Sequence, residues 1–184
     1  MKRRLISLLC VLSMVGLCLC GCQPRPADPD AYHFKTSQQE NGTYTIEVSS
    51  AHGDQLYVRS RMPRQPECLA LTRDLLQIVG DSDDGSRWTV FCHVTAGKRS
   101  EAFGNYVAAN KTKVAYVDYR SNAYQLFVQD IFDETVYLQA TALNGLVVNE
   151  HGAPTVEAAL SGERLTVTYP TAAGDVTITM AMPK

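Results

Sequence analysis

From about residue 42 onward the apolar positions recur with a period of two. Tyr44, Ile46 and Val48 alternate with Thr43, Thr45 and Glu47. Leu165, Val167 and Tyr169 alternate with Arg164, Thr166 and Thr168, and Val176, Ile178, Met180 and Met182 with Thr177, Thr179 and Ala181. Successive side chains of a strand leave opposite faces, so this spacing predicts strands with one buried face. Further strands are expected over 56–61, 87–95, 113–119, 124–131, 136–142 and 155–160. Residues 115–119 and 124–128 are apolar on both faces, which suits central strands or aromatic contacts at the surface. Turn signals separate the runs: 80–85, Arg120-Ser121-Asn122, 133–134, 149–152, Ser161-Gly162 and 173–175. Such short connections favour antiparallel meanders over βαβ units.

One stretch has two readings. Cys68, Leu71, Leu75 and Ile78 share a helical face, and Pro66 with Glu67 suits a helix start. That predicts a short helix over 67–79. The rival is a strand at 74–79 paired with 87–94 across an acidic turn. Either way the expected fold is mainly β, an antiparallel sandwich or meander. A propeller of four blades at about 40 residues each would take nearly the whole chain, and no internal repeat supports it.

The N-terminus has a different pattern. Met1-Lys2-Arg3-Arg4 is basic, residues 5–19 are uncharged and mostly apolar, and Leu19-Cys20-Gly21-Cys22 precedes an abrupt polar turn. A basic start, an apolar middle and a small residue before the cut form a secretory signal. The tetrapeptide resembles the lipobox of bacterial lipoproteins, with Leu19, Gly21 and Cys22 in place and Cys20 where Ala or Ser is commoner. The resemblance covers residues 1–22 alone. It implies a signal peptide at 1–21 and a diacylglyceryl group, with a further acyl chain such as palmitate, on Cys22. It places the chain in the bacterial cell envelope, lipid-anchored on the extracytoplasmic side of a membrane. Residues 22–41, rich in Pro, Asp and Gln, then read as a flexible tether, and 42–184 as a single β-rich domain.

Removal of residues 1–21 changes the charge and the cysteine count. Three of 17 basic residues and none of 19 acidic ones lie there, which leaves a net charge near −5. No basic run of five or more residues exists, so no nucleic-acid partner is expected. Of six cysteines only Cys68 and Cys92 stay unmodified. They would form one disulfide across a loop of about 25 residues or remain two buried thiols.

Chemical motifs are sparse. His33, His52, His93 and His151 lack ligand spacing. Asp81, Asp83 and Asp84 are the weak candidates for a cation, although the positions an EF-hand loop fills with Gly and Glu hold Ser86 and Cys92. Cys68 with His93 or His151 is the dyad to consider for nucleophilic catalysis, and Asp130, Asp133 and Glu134 are the close carboxylates to consider for glycosidic hydrolysis. Residues 97–104 lack the ending of a phosphate loop. No cofactor or catalytic residue is expected. Tyr106, Tyr116, Tyr119, Tyr124 and Tyr137 cluster in one third of the chain, as a binding surface or as strand filling. The leading expectation is a non-catalytic envelope domain that binds an extracytoplasmic protein, glycan or wall component, or serves as an accessory subunit. The alternative is an extracytoplasmic hydrolase with a site assembled from distant loops.

Overall fold

The computed structural model describes residues 32–133 and 137–182. Regular structure in them consists of β strands, without a helix. Cys22 and the signal segment lie outside the described residues. The described residues form four antiparallel sheets, each built from consecutive strands.

The first sheet joins β1 (Tyr32–Gln38), β2 (Tyr44–Ser50) and β3 (Gln55–Met62). The second runs β4 (Glu67–Ala70), β5 (Leu75–Asp81), β6 (Arg87–His93) and β7 (Lys98–Arg99), with β8 (Phe103–Gly104) also on β6. The third runs β9 (Tyr106–Ala109), β10 (Lys113–Arg120), β11 (Ala123–Asp130) and β12 (Tyr137–Ala142). The fourth joins β13 (Glu157–Ser161), β14 (Arg164–Thr171) and β15 (Gly174–Ala181).

Side-chain parity explains how the sheets stack. Leu76, Ile78, Trp88, Val90 and Cys92 pack against Ile46, Val48, Tyr57 and Met62 of the first sheet. The alternate residues Leu75 and Phe91 pack with Phe103, Val114, Tyr116 and Phe127 towards the third. In turn Ala115, Val117, Leu126 and Val128 meet Leu165, Val167, Tyr169 and Met180 of the fourth. Three cores thus lie between successive sheets in chain order. The two middle sheets bury both faces, and their strands read as nearly continuous apolar runs. The first and last sheets alternate because one face is polar. Thr168 and Thr177, for example, share a hydroxyl hydrogen bond of 2.9 Å on the exposed side of the fourth sheet.

Two expectations change. Residues 67–79 form strands β4 and β5 joined by a turn, not a helix. The apparent helical face divides: Cys68 and Ile78 join the first core, whereas Leu71 and Leu75 join the second. Helical periodicity lost to a two-sided strand, which accepts apolar residues at every position. Part of the stretch expected as tether is also strand. Tyr32–Gln38 is an edge strand in full register with β2, so residues 32–38 belong to the first sheet, and residues 22–31 lie outside the described residues. Its apolar positions, Tyr32 and Phe34, are too few to register as alternation beside the Pro-rich stretch.

Candidate functional site

The residues singled out by sequence do not converge. Tyr116 is buried; its hydroxyl donates to Gln129 Oε1 at 2.7 Å, and its ring lies 5.6 Å from Phe127. Tyr106 is half-buried, and burial raises its phenol pKa while a hydrogen bond with Gln77 opposes the rise. Tyr119 and Tyr124 pair edge-on at 5.0 Å, and Tyr124 donates to the Gly152 carbonyl at 3.1 Å. Tyr137 stands opposite Gln129 in the strand register. Parity sends Tyr116 towards the second sheet and Tyr119 to the other face of β10. The expected tyrosine surface is therefore divided: Tyr116 fills a core, and Tyr119 is exposed.

The acidic residues are similarly dispersed in role. Asp81 faces Arg64 at 3.2 Å and Arg87 at 3.8 Å. Asp84 accepts from the Ser86 hydroxyl at 2.6 Å and the Ser86 amide at 2.9 Å, bonds that lower its carboxyl pKa. Asp83 sits exposed in the turn between them. Among the described residues no group of three His, Cys, Asp or Glu side chains is placed to hold a metal ion. Asp130 accepts from Lys113 Nζ at 2.8 Å, while Glu134 lies outside the described residues.

Cys68 and Cys92 are free thiols on the same side of the second sheet, with β5 between their strands. Two strand spacings alone put them roughly 9.5 Å apart, and Cys68 lines up with Val90, two residues along β6 from Cys92, so the separation exceeds the ~7 Å Cα reach of a disulfide. The bridge admitted by sequence is therefore not formed in this arrangement. Burial pushes the Cys68 thiol to about 11 and the Cys92 thiol to about 12. A protonated, buried thiol is a poor nucleophile. His93 leaves the opposite face of β6 from that shared by Cys68 and Cys92 and lies 6.2 Å from the Phe132 ring, so it makes no dyad with Cys68.

A cleft of about 650 Å³ lies elsewhere, where three turns meet at one end of the first and second sheets. The β2–β3 turn contributes Ser50, Ala51, His52 and Asp54; the β4–β5 turn contributes Arg73 and Asp74; the β6–β7 turn contributes Val94 to Gly97. Its volume falls in the range of small-molecule sites. Ser50 and Val94 are buried beneath it and Leu56 is half-buried, whereas His52, Asp54 and Arg73 stand exposed at the rim.

Each turn is fixed by its own side chain. Ser50 Oγ accepts from the His52 and Asp54 amides at 3.2 and 3.1 Å, and donates to Asp54 Oδ2 at 3.3 Å. Thr72 Oγ1 accepts from the Asp74 and Leu75 amides at 3.2 and 3.0 Å. His93 Nδ1 lies 3.4 Å from the Ala96 amide, which donates to it. The Val94 amide donates to the Asp74 carbonyl at 2.9 Å and ties the second turn to the third. Local bonds of this type let Ser, Thr and Asp set turns. They hold two carboxylates, a guanidinium and an imidazole around one concavity.

The sequence does not single out this site, because its polar residues come from three segments of ordinary turn composition. The only local hint was the small-polar signal in Ser50, Gly53 and Asp54. No protein-family model matches the sequence, and no curated protein is significantly similar to it.

Proposed function

We propose that this chain is an exported envelope lipoprotein, anchored through lipid on Cys22, whose β domain binds an extracytoplasmic ligand without transforming it. The supporting observation is where the domain starts. Tyr32 opens β1 opposite Ser50, at the end of the first sheet that forms the cleft. Ten residue steps separate Cys22 from Tyr32 and span at most about 36 Å in any conformation. A lipid on Cys22 would hold that end of the domain near the bilayer. Two acyl chains suffice for stable anchoring where one is marginal.

The ligand class follows from the concave, mixed-polarity cleft with a part-apolar floor. Such a site orients a small ligand or an exposed group of a larger partner. The hydrolase reading would use Asp54 and Asp74, since paired carboxylates in one cleft are what glycosidic hydrolysis requires. Loss of hydrolysis of an envelope glycan in Asp54→Asn, with glycan binding retained, would favour it.

The anchor is tested by feeding producing bacteria an alkyne fatty acid and comparing the full chain with Cys22→Ser. We expect label on the wild-type chain and none on the variant. Equal labelling of both, or none on either, would refute lipidation at Cys22.

A further inference from the structure

We infer that the cleft between the three turns takes a zwitterion bearing a primary ammonium and a phosphate, the chemistry of an ethanolamine phospholipid headgroup. This rests on the anchored reading above for its source, and on the cleft itself for its chemistry.

The lining has both signs. Asp54 and Asp74 come from different turns of different sheets, and Arg73 and His52 supply cationic or donor groups beside them. Asp54 spends one oxygen on the Ser50 hydroxyl at a long 3.3 Å, and a carboxylate has about four lone-pair sites. Its remaining capacity suits an N–H donor. Guanidinium carries five donors in a planar fork, so Arg73 can serve a phosphate oxygen alongside any contact within the protein. A purely anionic ligand would meet the two carboxylates and be repelled. A purely cationic ligand would pair with the carboxylates and leave the guanidinium unmatched. A dipolar ligand satisfies both, and Leu56 and Val94 offer an apolar floor for its ethylene link or glycerol end.

Location narrows the source. Ser50, buried beneath the cleft, is the register partner of Tyr32, the first residue of β1. The anchor would keep this end of the cleft within reach of lipid headgroups, whereas the polar face of the fourth sheet lies three layers away. The primary ammonium matters because it can donate hydrogen bonds to the carboxylates. A trimethylated ammonium of the same charge has no N–H to give.

The test uses the mature chain from residue 22 onward, carrying Cys22→Ser and lacking residues 1–21, so that neither a lipid nor the apolar segment 5–19 can bind the vesicles. The variant is floated with vesicles of phosphatidylcholine alone, or with phosphatidylethanolamine or phosphatidylglycerol added. We expect flotation on the ethanolamine vesicles alone, competed by free phosphoethanolamine and weakened at least tenfold by Asp54→Asn with Asp74→Asn. Both substitutions keep side-chain shape, and an unchanged circular dichroism spectrum checks folding. Equal flotation on all three vesicles, or no loss in the double variant, would overturn the inference. Binding of free phosphoethanolamine without ethanolamine-dependent flotation would support the cleft chemistry and overturn the lipid source. The acyl-labelling result stands apart, because this experiment contains no lipidated protein.

Discussion

Beneath the indole of Trp88, β5 has no side chain. A Cβ built on Gly80 would overlap the six-membered part of the ring, and the indole Nε1 donates to the Asp81 carbonyl at 3.2 Å. Arg59 of the first sheet covers the ring at 4.0 Å. The ring is thus held between two sheets with no room to shift. Gly80→Ala should destabilise the domain by about 1–3 kcal/mol, the usual range for overpacking a filled core. An unchanged urea midpoint would contradict this packing. The two cysteines give a second test at this scale. Both thiols have raised pKa values because burial penalises the thiolate. Their contribution to stability is fully present below the ordinary value near 9 and is lost as pH rises through about 11 to 12. Replacing both with Ala should flatten that alkaline loss. A thiol reagent at pH 8 should find both sites slow in the native chain and fast in denaturant. Rapid native reaction, or no thiol after unfolding, would contradict two free thiols, Cys92 buried and Cys68 half-buried. Sequence could isolate these cysteines as a pair, but their separation depends on β5 passing between them. The burial of Trp88 against glycine was not readable at all, because it depends on the register Gly80↔Trp88.

The hairpins show which local signals determine structure. Arg120 pairs with Ala123 across Ser121 and Asn122, whose φ angles are both positive at 53° and 63°. This is the two-residue turn that matches the twist of antiparallel strands. Asn tolerates the left-handed region and Ser does so at greater cost. Ser121→Gly should therefore raise stability by up to about 1 kcal/mol, read from the urea midpoint. A loss of stability would mean that the turn differs. Turn chemistry made this hairpin legible before its partners were known, and β10 and β11 fall within one residue of the expected spans. The stretch at 67–79 was less legible. A fully buried strand offers no alternation, and the bend at Leu71–Asp74 happens to place apolar residues at helical intervals. Strand β1 was obscured by its neighbourhood, since one Tyr and one Phe in seven residues carry little pattern. The same limit hid the cleft. Ser50, Thr72 and His93 act each within its own turn, and only the pairing of sheets brings those turns together.

On the scale of the molecule, the order of sheets follows from which strands are apolar on one face and which on two. The half-polar first and fourth sheets end the stack, much as polar outer faces close repeat proteins. The apolar runs of β5, β6, β10 and β11 fill its middle. That mainly β architecture was legible from periodicity, and its division into four sheets with three cores was not. The functional account joins this architecture to the N-terminal segment: a domain whose cleft opens beside the strand that leads back to Cys22. Membrane residence through that one residue is its central claim. The most direct measurement is fractionation of bacteria producing the full chain, with membranes washed in alkaline carbonate, for wild type and Cys22→Ser. The account predicts wild type retained in the washed membranes with residues 1–21 removed, and the variant either still carrying residues 1–21 or released into the extracytoplasmic soluble fraction. Variant retained in the washed membranes with residues 1–21 removed, or wild type in the cytoplasmic fraction, would contradict it.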